Sequence, residues 1–425
     1  MYSQSDKEIC SGKCNQVMIP VELKKNNDEW KMVKKNKVII LGGYYGALGV
    51  VKGLAAEGIQ AVLLAPDPHD HACHSKYISK RVTIPNPMNN SDGLLDLLMD
   101  KKNDWEGALL IPTLDEYVIF LSQNRTELIK KFKFTVQDWE ITKKIINKDL
   151  LYPLAHKIGV PTIRFFLPDS IEFLKARKSE FFYPCILKPY ESHKFVEVYR
   201  KKVLLINDYQ ELVEKFIDVQ EHKLKVMISE IIPGDDSSIY TYRSYIDSQG
   251  DILAEICTQK LRQFPTGFGQ GSVVRTIPLI SEIRDQALKL LRKLSYIGES
   301  STEFRLDYRD NLYKLMEINT RPVVTEWLFV KAGANFPYIT YMDLVENIQS
   351  PLPAYRQIVW INNHWEIANF FAALKAGNFN LRNFLAPYGK ERVYAIPFSD
   401  DPLHYLIEFY FNTKRFLKKA VKSGL

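Results

Sequence analysis

The stretch KVIILGGYYGALGVVKGLAAEGIQAVLLAP, residues 37–66, constrains the fold more than any other part of the sequence. It predicts a buried strand at 38–41, a glycine turn, a helix at about 47–57 that ends before Gly58, and a second strand at 61–65. Strand, helix and strand in this order form a βαβ unit, the start of a parallel sheet. We therefore expect the ordered part of the chain to begin with a Rossmann-like domain.

The pattern changes after about residue 145, where a helix is followed by strands that PGDD and SQG turns separate. This predicts an α+β body with antiparallel strands, so the fold class is α/β plus α+β. We expect four parts: a flexible leader at 1–36, a Rossmann-like domain at 37–145, a second domain at 146–350, and a C-terminal extension at 351–425 with a basic amphipathic helix.

Composition narrows the class of protein. The chain has 425 residues and is 46% hydrophobic, which is typical of a globular protein with sizeable cores. It has no apolar run of about 18 residues and no signal-peptide pattern at its start. Its 5 cysteines are odd in number and scattered, which favours a reducing compartment over a disulfide framework. We expect a cytoplasmic protein.

The net charge of +7 is concentrated at the C-terminus. Five basic residues and no acidic residue lie in NTKRFLKKAVKSGL, so the rest of the chain is nearly neutral and does not indicate nucleic-acid binding. Apolar side chains recur at helical spacing beside these charges, at Leu406, Phe409, Tyr410, Thr413, Leu417 and Ala420. The tail is then either a terminal helix packed on its own domain or a peripheral contact with anionic lipid.

Two acid-bearing segments, TEFRLDYRD and KLMEINTRP, predict a hairpin with a metal site. Glu303 and Glu317 are each 7 residues from Asp310, so a turn at Asp310 sets them opposite each other, with Asn319 on the same face. Opposed carboxylates repel unless something neutralises them, and Mg²⁺ commonly takes one or two carboxylates plus substrate phosphates. The alternative is an exposed acidic pair that Arg305 or Arg321 offsets.

Cationic side chains near this pair indicate a polyphosphate pocket. Lys188 interrupts an apolar strand, where a lysine is costly to bury unless it meets an anion. Lys148 begins a helix, whose free N–H groups favour phosphate. Lys260 and Arg262 are spaced to share one strand face. Each alone is more often a solvated surface charge, but the set beside an acidic metal site is typical of a polyphosphate pocket.

These motifs together resemble the ATP-grasp superfamily, specifically its predicted carboxylate–amine ligases. The resemblance covers about residues 37–425. The segments that carry it are the strand with Lys188, ISEIIPGDD, QKLRQFPTGFGQGSVVR, Glu303 with EINTR, the GGYYGALG turn, PTLDE, NKDLL and FSDDP.

The resemblance implies a role for each of these residues. Lys148 and Lys188 would hold ATP phosphates, the backbone of Glu230, Ile231 and Ile232 would meet adenine, and Asp236 would lie near the ribose. Glu303, Glu317 and Asn319 would bind Mg²⁺, with Mn²⁺ as a substitute. Arg321, Lys260 and Arg262 would stabilise the transferred phosphate, and Gly43, Tyr44, Asp115 and Glu116 would contact the other substrate.

The sequence departs from the superfamily after Lys188. Many of these enzymes carry a glycine-rich loop there, whereas PYESHKFVEVYRKK has no glycine. Cover for the phosphates would come from His193, Lys194 and Lys202 instead.

Two other motifs allow different functions. GGYYGALG fails the GxGxxG fingerprint, although Asp67 follows the second strand where a ribose-binding acid would lie, so an NAD(P)-dependent oxidoreductase is the rival enzyme. DPHDHACHSK invites a metal site, but a polar surface loop explains it better.

The function expected is therefore an ATP-dependent ligase that forms an amide or peptide bond through an acyl phosphate, with an amino acid or cell-envelope precursor as substrate. A non-catalytic ATP-binding protein is the further alternative. The sequence leaves the oligomeric state open and is compatible with a dimer.

Overall fold

The described residues form three β-sheets. The structure, a computed structural model, describes residues 38–190, 195, 198–201, 203–267, 269–349, 352–375, 377 and 379–422, and in the last helix the side chains up to 414 apart from 412. The strands are β1 Val38–Leu41, β2 Ala61–Ala65, β3 Ile78–Thr83, β4 Leu109–Pro112, β5 Phe165–Phe166, β6 Cys185–Pro189, β7 Leu204–Ile206, β8 Val226–Glu230, β9 Ile239–Ile246, β10 Ile252–Phe264, β11 Gln270–Ile277, β12 Gly298–Asp307, β13 Leu312–Asn319, β14 Val359–Ile361 and β15 Arg392–Tyr394. The α-helices are α1 Tyr45–Ala56, α2 Ser91–Met99, α3 Asp115–Gln123, α4 Arg125–Leu128, α5 Trp139–Ile146, α6 Lys148–Lys157, α7 Ile171–Ala176, α8 Tyr209–Glu221, α9 Ser281–Lys293, α10 Glu326–Ala332, α11 Phe336–Tyr341, α12 Asn363–Lys375, α13 Leu381–Leu385 and α14 Pro402–Lys422.

The first sheet is parallel and has the strand order β3-β2-β1-β4. Strands β1 and β2 have the predicted bounds, and every residue of both is buried, as expected of strands covered on both faces. Because β1 and β4 are neighbours, their carboxyl ends meet. Thr113 Oγ1 donates to the Leu41 carbonyl oxygen at 3.0 Å. The Rossmann-like parallel sheet predicted from the sequence is confirmed.

Helix α1 begins at Tyr45, two residues before the predicted start. The glycines within it allow close packing against other parts of the chain. A Cβ on Gly49 would lie 2.3 Å from the Glu326 Cβ, and a Cβ on Gly46 would lie 2.9 Å from the Pro322 carbonyl oxygen. Gly53 meets the Asn335 amide oxygen in the same way, at 2.7 Å. Glycine at these positions lets α1 approach the segment that begins α10 and α11.

The other two sheets are those of the predicted α+β body. One has seven strands in the order β13-β12-β9-β10-β11-β14-β15, antiparallel except for the last pair. The other has four antiparallel strands in the order β5-β8-β6-β7. Strands β14 and β15, which belong to the predicted C-terminal extension, are the last two strands at one edge of the seven-stranded sheet. Residues Asn36–Leu425 form one compact unit, and the domain boundaries remain predictions.

The β12–β13 hairpin contains a bulge that sets its register. Phe304 pairs with Leu315 near the turn, whereas Glu303 pairs with Glu317 one step further, so Met316 is left without a partner on β12. The bulged residue moves the following side chains by one position. As a result, the carboxylates of Glu303 and Glu317 face each other.

The last helix, α14, packs on the rest of the chain through polar side chains. This corrects the interpretation that its apolar stripe is the face that packs on the domain. Its buried side chains include His404 and Glu408. The predicted stripe points outward instead, since Leu406 and Tyr410 are 55% and 59% exposed. The side chains of Leu417, Ala420 and the cations from 415 onward lie outside the described residues. None of the described helices is both long and apolar enough to cross a membrane.

Candidate active site

The predicted acidic site forms where β12 and β13 pair. Glu303 and Glu317 are direct partners across the two strands, and Asn319 lies on β13 two residues after Glu317. The Asn319 Nδ2 donates to Glu317 Oε1 at 3.1 Å. The Glu303 and Glu317 side chains are 22% and 41% exposed, so both remain open to a ligand.

Two lysines from other elements neutralise these carboxylates. Lys148, the first residue of α6, places Nζ 3.3 Å from Glu317 Oε2, and Lys260 on β10 places Nζ 3.1 Å from Glu303 Oε2. The charge of Lys148 is the largest cause that lowers the pKa of Glu317 to about 2, with further contributions from Asn319 and Lys260. Glu317 therefore carries its negative charge at neutral pH.

Lys188 approaches the same carboxylates from the four-stranded sheet. Burial is the main cause that lowers its pKa to about 8, and the positive charge of Lys148 lowers it further, while Glu317 and Glu303 oppose the shift. Its ammonium makes no hydrogen bond or ion pair with any described residue. A half-buried lysine that makes no bond to a described anion favours a ligand that carries negative charge.

The oxygen ligands suit a cation that shares its coordination shell with phosphate. Glu303, Glu317 and Asn319 supply two carboxylates and one amide, and Mg²⁺ accepts such a set together with phosphate oxygens and water. Among the described residues, no group of three or more His, Cys, Asp or Glu side chains is arranged to hold a metal ion. The site therefore fits a metal that arrives with a phosphate ligand rather than one held by protein alone.

The linker after β8 leaves backbone groups available, whereas the Glu230 side chain is engaged. Its carboxylate accepts from the Arg164 backbone N–H and from Arg309 Nη2, each at 2.7 Å. The N–H and C=O groups of Ile231 and Ile232 have no hydrogen bond to any described residue. In this predicted adenine-binding segment, the backbone groups that are available to a ligand are therefore those of Ile231 and Ile232.

Asp236, predicted near the ribose, is held by the β10–β11 hairpin. Its carboxylate accepts from the Gln263 backbone N–H at 2.9 Å and from Gln263 Nε2 at 2.6 Å. Sequence reasoning missed Gln263, because nothing in the local pattern signals a partner 27 residues away.

The predicted substrate contacts meet Arg321 at the end of the parallel sheet. Arg321 donates to both carboxylate oxygens of Asp115, at 2.7 and 3.0 Å. Glu116 lies beside this pair, and burial raises its pKa, with a smaller contribution from the charge of Asp115. Gly43 lies against Asp70, where a Cβ would come within 2.6 Å of the Asp70 Cβ. The loop after β4 thus contacts Arg321, which lies two residues after Asn319 of the acidic site.

Tyr44, between Gly43 and α1, faces the β10–β11 hairpin. Its hydroxyl donates to Gln270 Oε1 at 3.4 Å, and its ring lies edge-on to His71 with centroids 5.2 Å apart. Tyr44 therefore joins the parallel-sheet part of the site to the seven-stranded sheet.

Arg262, a predicted phosphate ligand, is instead held by the C-terminal helices. Its Nε donates to Glu366 Oε2 at 2.8 Å, and the guanidinium carbon lies 4.3 Å from the centroid of the Phe384 ring. Glu366 is buried on α12 and also accepts from Ser272 Oγ at 2.7 Å. The structure therefore does not bring Arg262 into the acidic cluster as it does Lys260. The sequence contains no signal for Glu366 or Phe384 as its partners.

The histidine-rich segment is a short 3₁₀ helix, His71–His74, and not the predicted surface loop. His71 is buried, and its Nδ1 lies 2.6 Å from Glu408 Oε2 on α14. The rival nicotinamide site has no support either, since Gly46 and Gly49 serve helix packing and Asp67 accepts from the His69 backbone N–H at 2.8 Å. His193, Lys194 and Lys202, the predicted cover for the phosphates, lie outside the described residues.

Comparison with known proteins gives a match to an ATP-binding family and to a ligase. The family described as carbamoyl-phosphate synthase L chain, ATP binding domain, matches residues 277–332, which include the acidic hairpin. A D-aspartate ligase of Enterococcus faecium (strain Aus0004) is 27% identical over 248 residues, which are 56% of this chain and 59% of that protein. The match thus spans about three fifths of the length of this relative.

Solved structures establish the fold. An N5-carboxyaminoimidazole synthetase from Staphylococcus aureus complexed with ADP superposes with a TM-score of 0.60 at 15% identity, over 79% of this chain and 86% of that chain. An L-amino acid ligase from Bacillus licheniformis gives a TM-score of 0.56 at 14% identity, over 74% and 77%. The ATP-grasp fold expected from the sequence is confirmed.

Proposed function

We propose, from the ATP-grasp fold and its site, that the chain is an ATP-dependent carboxylate–amine ligase that forms an amide or peptide bond. The observation that carries the proposal is the opposed pair of Glu303 and Glu317 among Lys148, Lys188 and Lys260. Two carboxylates ringed by three cations suit a metal-bound polyphosphate better than a purely structural ion-pair cluster, because Lys188 has no bonded partner among the described residues. The relative named a ligase supports this assignment.

The nucleotide would lie between the four-stranded and seven-stranded sheets. Lys148 and Lys188 would bind its phosphates, and the free backbone groups of Ile231 and Ile232 would meet the adenine edge. Glu303, Glu317 and Asn319 would hold Mg²⁺, with Mn²⁺ as a substitute. The metal, when bound, neutralises charge on the phosphate oxygens.

Catalysis would proceed in two steps. A carboxylate oxygen of the first substrate takes the γ-phosphoryl group of ATP, the bond to the bridging oxygen breaks, and ADP leaves. The amine nitrogen of the second substrate then attacks the acyl carbon, the bond to phosphate breaks, inorganic phosphate leaves, and the nitrogen loses a proton. Lys260 and Arg321 would stabilise the transferred phosphoryl group by positioning and charge, which are the main means of catalysis in phosphoryl transfer. Arg262 would act there only if it left Glu366.

The non-nucleotide substrate would bind at the loops after β1 and β4. Gly43, Tyr44, Asp115 and Glu116 lie there, and Arg321 pairs with Asp115. An amino acid or a cell-envelope precursor is the proposed substrate class, in keeping with the relative named D-aspartate ligase. The arginine would pair with a substrate carboxylate in place of Asp115.

A phosphate-release assay tests the proposal. Purified full-length protein with Mg-ATP is screened against panels of amino acids and of carboxylates, and products are identified by mass spectrometry. We expect phosphate release that requires both a carboxylate and an amine, together with a product mass that equals their sum less one water. Nicotinamide reduction with no ATP turnover would contradict the proposal, and ATP binding without turnover across the panels would favour a regulatory protein.

Contact of the basic tail with anionic lipid and the formation of a dimer remain predictions from the sequence.

A further inference from the structure

The outer surface of the C-terminal helices is unusually apolar. Of the 21 large apolar side chains that are exposed in the described part of the chain, 10 fall between Ile367 and Tyr410. Scattered exposed apolar residues are normal, but a concentration in one segment marks an interaction site. This segment therefore has the apolar character of an interaction surface.

The exposed apolar residues lie on one face of each helix. On α12 they are Ile367, Phe371 and Leu374, and on α14 they are Leu403, Leu406 and Tyr410, both at helical spacing. The opposite face of α12 points inward, where Glu366 holds Arg262. The helices are thus amphipathic, with an apolar side that the described chain does not cover.

Helix α12 adjoins both α13 and α14. The His364 ring on α12 lies 5.5 Å from the Tyr405 ring on α14, and Phe370 on α12 lies 5.7 Å from Phe384 on α13, measured between centroids. We call the outer faces of α12, α13 and α14 the C-terminal apolar surface.

The charge around this surface is positive. In the sequence, residues 363–422 contain 9 Lys or Arg and 5 Asp or Glu, a net charge of +4, and the side chains of 4 of these basic residues, from 415 onward, lie outside the described part of the chain. Glu366, Asp401 and Glu408 are buried, while Asp400 pairs with Lys52 and Glu391 with Arg356. No acidic side chain of this segment is left unpaired at the surface among the described residues, whereas Lys375, Arg382 and Lys390 are exposed.

We propose that the C-terminal apolar surface docks on an anionic membrane, with its apolar side chains in the headgroup region and its lysines and arginines on lipid phosphates. Apolar helices rimmed by basic residues are typical of interfacial binding. A second copy of this chain would bring the basic rims together, which like-charge repulsion opposes. The leader, residues 1–36, is a poor partner as well, since it has 7 basic and 5 acidic residues.

Co-sedimentation of the full-length protein with lipid vesicles tests the proposal. Vesicles of phosphatidylcholine alone are compared with vesicles that also contain phosphatidylglycerol, at about 0.1 M and about 1 M salt. We expect binding only to the anionic vesicles, and weaker binding at the higher salt concentration. Equal binding to both vesicle types, or none to either, would overturn the proposal.

Matched variants locate the surface. Phe371→Ser, Leu374→Ser, Leu403→Ser and Leu406→Ser together should reduce vesicle affinity at least about tenfold, because each removes apolar area from the lipid contact. The control is Leu205→Ser with Leu312→Ser, which changes residues of β7 and β13 that are 51% and 41% exposed. This variant should bind vesicles as the wild type does. Equal loss in both variants, or in neither, would count against the assignment.

Two further measurements keep the outcome interpretable. If the four-site variant fails to fold in a thermal melt, Lys375→Glu with Arg382→Glu and Lys390→Glu replaces it and should also reduce the affinity for anionic vesicles. A wild-type dimer that the serine variant dissociates would identify a second copy as the partner instead. Phosphate release without vesicles should be unchanged in both variants, so loss of docking is distinguishable from failure of the proposed ligase activity.

Discussion

Glu317 forms an ion pair within the protein and also belongs to the proposed metal site. It balances Lys148 within the protein, at 3.3 Å, and it faces Glu303 across the hairpin. The cations that lower its pKa to about 2 also keep the acidic pair from repelling itself before a metal binds. The side chain is therefore already charged and accessible in the free protein.

The substitution Glu317→Gln tests this role. It keeps the shape of the side chain and removes the charge a cation needs, so Mg-dependent ATP turnover should fall by about 100-fold or more. The thermal melt should change little, because the side chain is partly exposed. Glu127→Gln, which alters an exposed ion pair with Lys130, serves as the control and should turn over ATP normally. Near-normal turnover in folded Glu317→Gln protein would remove this residue from the metal site.

Lys188 presents the opposite case, a cation that forms no ion pair with any of the described residues. Lys188→Met should weaken nucleotide binding by about tenfold, since a charged contact to phosphate is lost. The same change should raise the melting temperature of the nucleotide-free protein, because burial disfavours the ammonium. Isothermal titration with ADP and a thermal melt measure both effects. Lys157→Met, at the exposed end of α6, is the matched control, and unchanged ADP affinity in Lys188→Met would disprove the phosphate contact.

At the scale of elements, a buried charge cluster joins α10 to the seven-stranded sheet. Arg243 on β9 is fully buried, with Nη2 2.6 Å from Glu299 Oε1 and 2.5 Å from Glu326 Oε2. Phe329 and Phe336 flank its guanidinium, with ring centroids 4.5 and 4.4 Å away. One guanidinium faces two carboxyls, and burial, which outweighs the charge of Arg243, raises the pKa of Glu326 to about 8.

This cluster predicts a pH dependence of stability. Because the pKa of Glu326 is higher in the folded chain than its ordinary value of about 4.5, its contribution is complete below that value. The contribution is lost as pH rises toward and through about 8. Glu326→Gln cannot ionise, so its melting temperature relative to wild type should increase between about pH 6 and pH 9.

Thermal melts across this pH range measure the difference between the two proteins. Glu282→Gln, an exposed position in the first turn of α9, is the control and should follow wild type at each pH. A difference between Glu326→Gln and wild type that does not vary with pH would show that Glu326 does not titrate in this range.

At the scale of the whole molecule, the C-terminal segment is fastened to the parallel sheet by polar contacts. Lys52 on α1 is buried with Nζ 2.7 Å from Asp400 Oδ2, and Tyr77 donates to the same carboxylate. His404 Nε2 lies 2.7 Å from the His71 carbonyl oxygen, close to the pair of His71 and Glu408. Asp400, together with His404 and Glu408 of the last helix, thus holds the C-terminal segment against α1 and the 3₁₀ helix that follows β2.

Two truncations separate this role from that of the basic tail. Ending the chain after Phe411 keeps Asp400, His404 and Glu408, so the melting temperature and ATP turnover should stay close to wild type. Ending it after Ser399 leaves Lys52 buried without its partner, which should lower the free energy of unfolding by about 3 kcal/mol or more. Chemical denaturation of both proteins tests this, and equal stability would show that these contacts do not support the fold.

The sequence by itself determined the features that depend on local pattern. The strands at 38–41 and 61–65 follow from continuous apolar runs bounded by glycine. The equal spacing of Glu303 and Glu317 about one turn predicted that they oppose each other, and the bulge at Met316 brings them into register. Tertiary structure decided which long-range partners each charge finds. Glu366 reaches Arg262 across 104 residues and Glu408 reaches His71 across 337, and no periodicity encodes such pairs. Local patterns specify strands and faces, whereas partners this far apart in sequence depend on how the sheets and helices pack.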